Sequence, residues 1–373
     1  MSRVATIARG AAGLAIVVLL ARTFVAIGWL QPIVVSGGSM APRLLGDHLV
    51  AACRACDARW PIDRHATQPN ACLHCGDADV AIVGDGEADQ LLVRRVCSLK
   101  GVRRGDTVVL RSPEDASKLL VKRVLGLPGE EVAFIEGDVW IDGQRLVKSL
   151  DEQRRVRIEL PHEPGSAWLP GRIGILRGGD RRELVYCQPL TDDLPYNADV
   201  SRRLVPVTDS AIEFELSPIG SGQVLVDPGW PADLRVRLGW FQSGLRSLQV
   251  FRGVTLVQHL PLPTGDRLDV AISTFDRRLV AAVNSAVVAS LPLTQNPMAP
   301  PKSPRLVNDS ASRIKNLRLY RDVYYEAPPG VSWTLGADEF FVVGDNQAIS
   351  RDSRHWDAPA GVPGRLILGI VAE

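Results

Sequence analysis

Between about Asp209 and Glu326, short runs of alternating apolar and polar residues recur, with turn-forming residues between them. They read IEFEL (212–216), LRVRL (234–238), LDVAI (268–272), RLVAAV (278–283) and IKNLRLY (314–320). Alternation places every second side chain on one face of an extended chain, so each run buries only one side. Several such strands must pack face to face to hide those sides, which predicts a β-sandwich. The same habit appears over residues 91–147, in DTVVL, LLVKRVLGLPGEEV and GDVWIDGQ, the last a hairpin around Asp142-Gly143. With 33 glycines and 26 prolines punctuating the chain, the expected class is mainly β. The 373 residues, 46% of them apolar, suffice for more than one domain. Lys+Arg (43) and Asp+Glu (42) nearly cancel, leaving no basic footprint for nucleic acid.

The N-terminus breaks this pattern. Residues 10–21 (GAAGLAIVVLLA) are uncharged, Arg22 and Thr23 interrupt, and 24–30 (FVAIGWL) resume the apolar run. A spanning helix takes about 20 mostly apolar residues, so the two blocks together, 10–30, predict a transmembrane anchor. Arg22 would snorkel or face protein, and Trp29 would sit near the headgroups. The competing reading is a cleaved signal peptide, against which no small-x-small cleavage site follows. Arg3 and Arg9 before the span, against Arg22 and Arg43 within and after it, leave the orientation open.

Cys53, Cys56, Cys72 and Cys75 form C-x2-C…C-x2-C with fifteen residues between the pairs. Two such knuckles suit a zinc ribbon, four thiolates around one structural ion. His65 and His74 are spare donors. Disulfides in an oxidising compartment are the rival, and a redox C-x-x-C a weaker one. Cys97 and Cys187 read as buried small apolar residues.

Ser39 lies in SGGSMAP (36–42), a hydroxyl on nearly bare backbone. A serine is a poor nucleophile unless a base stands beside it. None of the six histidines stands in an arrangement that marks a triad. A lysine serves if burial strips its proton, because desolvation disfavours the ammonium. Lys122 in LLVKRVLGLPG would share a strand face with Leu120 and Val124. From this context alone it is either such a base or a strand-edge charge paired with an acid.

Three blocks together resemble bacterial type I signal peptidases, the membrane-bound Ser/Lys endopeptidases. They are SGGSMAPRLLGDHLV (36–50), RRGDTVVLRSPEDASKLLVKRVLGLPGEEV (103–132) and FFVVGDNQAISRDSRHW (340–356), and they cover less than half the chain. The resemblance implies that Ser39 is the nucleophile and Lys122 the general base. It implies that Ser350 orients the amine, that Asp352 and Arg354 form a supporting ion pair, and that Gly344, Asp345 and Asn346 shape the wall. The Ser39 N–H would be one oxyanion donor. Some relatives offer a serine two residues before the nucleophile, where this chain has Gly37, with Ser36 one step further away, so the second donor stays open.

By the same resemblance the substrates are signal-peptide-bearing precursors cut after small residues. The lipid bilayer and the export machinery are the expected partners. The location is a single pass of the cell (inner, cytoplasmic) membrane with the catalytic domain on its outer side. Catalysis needs no cofactor; zinc is expected in the cysteine cluster. The implied layout is a tail (1–9), an anchor (10–30), and a signal-peptidase-like β catalytic core in three parts (31–52, 81–150, 329–373). A zinc-ribbon-like insertion (53–80) and a β-sandwich insertion (151–328), weakly similar to concanavalin or laminin-G folds, interrupt that core. In the sandwich, Trp230, Trp240 and Phe241 are either sugar-stacking residues or core and rim. Two other readings remain: a Ser/Lys protease that cleaves itself, and a binding module on a decayed protease core.

Overall fold

The computed structural model describes residues 12–23, 30–67, 69–72, 76–95, 99–160, 168–170, 181–186, 189–197, 199–231, 233–244, 246–294, 302–356 and 361–372. These residues are mainly β, and they divide into two compact units. The first comprises 1–48, 87–132 and 332–373; the second comprises 49–86 and 133–331.

The first unit is built on a seven-stranded sheet. Its order is Leu30–Val34, Gln90–Arg95, Ile367–Val371, Thr107–Arg111, Leu119–Gly126, Glu339–Val343 and Val362–Pro363. Chain segments far apart in sequence are therefore neighbours. Thr107–Arg111 and Leu119–Gly126 form an antiparallel hairpin in which Val108 faces Lys122. On the other side, Val343 pairs with Arg123. Val108, Leu110, Val124, Phe340, Val342, Trp356 and Ile367 bury one core, each at most 7% exposed. Apolar side chains from all three distant segments are needed to complete it.

In the second unit, a small sheet runs in the order Arg59–Asp63, His48–Cys53, Val80–Gly86. Two larger sheets follow. The six-stranded one contains Arg313–Arg321, Ser210–Ser217, Leu268–Ser273, Arg278–Val283 and Ala286–Pro292 as consecutive neighbours. The seven-stranded one contains Arg305–Asp309, Gly222–Asp227, Leu234–Trp240, Arg246–Arg252 and Thr255–Pro261. Ile212, Phe214 and Leu216 of the first and Val224, Val226, Val236 and Leu238 of the second share one core. Every alternating run of the sequence is a strand here, and 278–283 matches to the residue. The burial pattern of Leu234–Trp240 alternates at each step, as period two requires. Trp230 and Trp240 belong to this core, whereas Phe241 is exposed. The hairpin at Asp142-Gly143 turns with both residues at positive φ (50° and 74°), the backbone such a two-residue connection demands.

The anchor expected over 10–30 falls only partly on described residues. Residues 12–23 are helical. Among the described residues no helix is long and apolar enough to cross a membrane. Residues 24–29, the rest of the expected anchor, lie outside the described residues.

Candidate active site

Ser39 stands in a tight turn between the strand Leu30–Val34 and the strand beginning at His48. The turn closes on itself through Ala41 N–H to Gly38 O (3.0 Å) and Leu44 N–H to Met40 O (3.0 Å). Met40 and Ala41 are buried and pin one side of it. The other side is bare: a Cβ added to Gly37 would touch nothing within 4 Å. Ser39 itself is half-buried between these two environments.

The loop after the strand Glu339–Val343 holds that turn. Asn346 donates from its backbone to Ser39 O (3.0 Å) and from its side chain to Gly38 O (3.1 Å). Gly344 lies at the closest approach. A Cβ there would sit 2.3 Å from Ser350 Oγ and 2.4 Å from Ser39 O, so both atoms press on one point that only glycine leaves free.

Lys122 comes from the middle of its strand, with its amine buried. Its Nζ donates to Ser350 Oγ (3.1 Å), which donates in turn to Asp352 Oδ2 (2.7 Å). Arg354 closes over the same carboxylate through Nε to Oδ1 and NH2 to Oδ2, both 2.8 Å. Gly344 N–H adds a further bond to Asp352 Oδ2 (3.0 Å). Burial pushes the Lys122 amine down to about 8. Asp352 opposes that shift, Arg354 assists it, and Asp345 opposes it. Burial alone would raise the Asp352 carboxyl. Bonds from Arg354 and His355, the Arg354 charge and the Gly344 N–H outweigh it and hold the group well below the carboxylate range.

Behind this row, Arg123 makes a two-pronged pair with Asp345, Nε to Oδ1 at 2.7 Å and NH2 to Oδ2 at 2.6 Å, with both residues almost fully buried. Arg123 also donates to Gly105 O (2.8 Å). The register explains the match: Val343 lies opposite Arg123, and Asp345 follows two residues later. The sequence signal was present, since a second charge beside Lys122 in an apolar strand needs a partner of its own.

The structure thus gathers Ser39, Lys122, Ser350, Asp352, Arg354, Asp345 and Asn346 around the Gly344 corner. Gly37 lies on the open rim of the turn. A half-buried hydroxyl, a buried amine of lowered basicity and a carboxylate neutralised by its own guanidinium can together support proton transfer and acyl chemistry.

The cysteines form a separate cluster in the second unit. The Sγ atoms of Cys53, Cys56 and Cys72 all lie within 4.8 Å of one another, with Cys56 and Cys72 3.7 Å apart. Four thiolates at about 2.3 Å from one tetrahedral ion stand about 3.8 Å apart, so this spacing fits a metal. Turns at Asp57 (φ 56°) and Gly76 (φ 77°) follow the Cys56 and Cys72 ends of the cluster. Cys75, His74, Cys97 and Cys187 lie outside the described residues, and His65 is exposed.

A family model described as signal peptidase, peptidase S26, matches residues 7–170. Subunit 2 of the mitochondrial inner membrane protease of Schizosaccharomyces pombe is 39% identical over 66 residues, 15% of this chain and 37% of that protein. Subunit 1 of the human mitochondrial inner membrane protease is 32% identical over 66 residues, 14% of this chain and 40% of that protein. Signal peptidase I V of Bacillus subtilis is 32% identical over 63 residues, 17% of this chain and 36% of that protein. The chain therefore spans well under half the length of each of these relatives.

These findings overturn the expected location. Two of these relatives are named as mitochondrial inner membrane protease subunits rather than proteins of a bacterial cytoplasmic membrane. No helix among the described residues is long and apolar enough to provide the single pass on which that location rested.

Proposed function

From the premise that the chain is a type I signal peptidase-like protein, we propose that it is a serine endopeptidase that removes signal peptides from precursor proteins by a Ser39/Lys122 dyad. The observation that carries this reading is the Lys122 Nζ bond to Ser350 Oγ at the corner where Gly344 presses on Ser39.

In the proposed reaction, neutral Lys122 accepts the Ser39 Oγ proton as that oxygen attacks the scissile carbonyl carbon. The Ser39 N–H stabilises the resulting oxyanion. The carbon–nitrogen bond then breaks, and Lys122 returns the proton to the leaving amine. An acyl-enzyme ester remains. Water attacks it with Lys122 again as base, releasing the carboxylate and restoring the Ser39 hydroxyl. Ser350 fixes the amine's direction. Asp352 holds Ser350, and Arg354 keeps Asp352 from turning Lys122 into a permanent cation. The exposed Gly37 rim admits an extended peptide backbone.

The proposed layout keeps the three-part core, with residues 53–80 as a zinc-ribbon-like insertion and 151–328 as a concanavalin-like sandwich. Zinc would be held by Cys53, Cys56 and Cys72, with Cys75 as the fourth thiolate. The ion would supply folding energy to a segment with a very small core of Ala51, Cys53, Ala58, Trp60, Ile62, Cys72 and Val80.

The test is incubation with a signal-peptide-bearing precursor beside Ser39→Ala and Lys122→Ala. Cleavage lost in both variants supports the reading. A parent that leaves the precursor intact favours a binding module, and one that cuts only its own chain favours a self-cleaving protease.

A further inference from the structure

Ser350 and Asp352 flank a residue the reaction does not use. Arg351 turns outward and meets Glu114 in a two-pronged ion pair, its Nε donating to Oε2 at 2.8 Å and its NH2 to Oε1. Glu114 belongs to the connection between the strands Thr107–Arg111 and Leu119–Gly126, the second of which carries Lys122. That connection is braced. Buried Ser112 receives the Glu114 and Asp115 N–H groups at 3.3 Å and donates its own N–H to Lys118 O (2.9 Å). Asp115 in turn receives Ser117 N–H (3.0 Å) and pairs with Lys118 (3.2 Å). The carboxylate is thus presented on a folded platform, and the hydrogen bonds from Arg351 lower its pKa from the ordinary glutamate value.

We propose that Glu114 and Arg351 are positioning residues, a clamp that fastens the loop bearing Ser350 and Asp352 to the hairpin bearing Lys122. The inference rests on the reading of Lys122 as the general base. The bond from Lys122 to Ser350 joins residues 228 apart in the chain. The Asn346 and Gly344 contacts secure the loop at its start, and the clamp secures it between Ser350 and Asp352. Released there, the loop lets water reach the amine, which weakens the desolvation that keeps Lys122 uncharged.

The experiment compares Glu114→Gln, Arg351→Gln and the swap Glu114→Arg/Arg351→Glu with the parent. An exposed pair supports an effect of about 2–5-fold. Each single variant should lower kcat for precursor cleavage by that factor, leave KM within about twofold, and move the rise of kcat to higher pH. The swap should restore both, and thermal midpoints should stay level. Raising salt should bring the parent's kcat down towards that of the single variants.

In parallel, the reaction of Lys122 with an amine-acylating reagent is followed across pH by peptide mass spectrometry. The same upward shift of its midpoint is expected in both single variants. If the parent shows no Ser39-dependent cleavage, the proposed function falls while this second readout still decides the clamp. Single variants with unchanged kcat and an unchanged Lys122 midpoint would overturn the clamp, as would a swap that restores neither.

Discussion

Each unit of this molecule buries a lysine, and the two are driven in opposite directions. Lys122 in the first unit meets a hydroxyl, with its nearest carboxylate already held by Arg354, and burial takes its amine down to about 8. Lys148 in the second unit lies between the carboxylates of Asp276 and Asp322, the latter at 2.8 Å. Burial opposes its charge as well, but those two partners outweigh it and raise the amine well above its ordinary value. Burial alone does not decide the charge of an interior lysine. What decides is whether the neighbouring carboxylates have been spent on another cation.

The largest expected effect tests the spent case. Lys122→Met should lower precursor cleavage about 10²–10⁴-fold, the range for a lost general base, without lowering resistance to urea. Lys122→Arg should be equally inactive, because a guanidinium cannot give up its proton. A strongly destabilised Lys122→Met protein would mean that the amine is paired as Lys148 is.

Next comes the opposite case. Lys148→Met leaves two buried carboxylates without their cation and should cost about 3–5 kcal/mol in urea unfolding. Cleavage per folded molecule should persist. A neutral result would erase the contrast between the two lysines.

A smaller effect is the slope of stability with pH. Lys122 has a folded pKa below its unfolded value of 10.5, so between about 8 and 10.5 the unfolded chain binds more protons and stability rises with pH. Lys148 has a folded pKa above that value. Its contribution is fully present below about 10.5 and is lost as pH climbs through the folded value. Unfolding curves at several alkaline pH values should therefore lose a rising component in Lys122→Met and a falling one in Lys148→Met.

The smallest effect sharpens the cause. Arg354→Gln frees Asp352 to act on the amine, so the Lys122 midpoint, read from the pH dependence of kcat, should rise. Asp352→Asn should move it down. Shifts with the reverse signs would show that Asp352 does not govern that amine.

Much of this was legible in the sequence, for identifiable reasons. Period two marked the strands at 212–216 and 234–238 because each has one buried face, and Asp142-Gly143 marked its hairpin because the turn needs positive φ. Lys122 stood out as a charge in an apolar run. The Arg123–Asp345 pair and the Lys148 cluster were not read: the charge of Arg123 in an apolar strand signalled that a partner was needed, but the partners in both cases lie more than a hundred positions away, where local pattern does not name them. The N-terminal expectation joined two apolar blocks across Arg22 and Thr23, and of that stretch the structure describes 12–23, as helix, and residue 30. Of the four cysteines expected to cluster, the structure describes three together, consistent with the C-x2-C spacing.

The seven-stranded sheet draws neighbours from both ends of the chain, and this orders events in time. Lys122 leaves the ribosome 228 residues ahead of Ser350. At about 5–20 residues per second, roughly 10–45 s of synthesis separate them. Until then the strand Leu119–Gly126 lacks its neighbour Glu339–Val343, and the lysine amine stays hydrated and charged. On the proposed function, a nascent molecule would thus carry its serine well before its base is assembled.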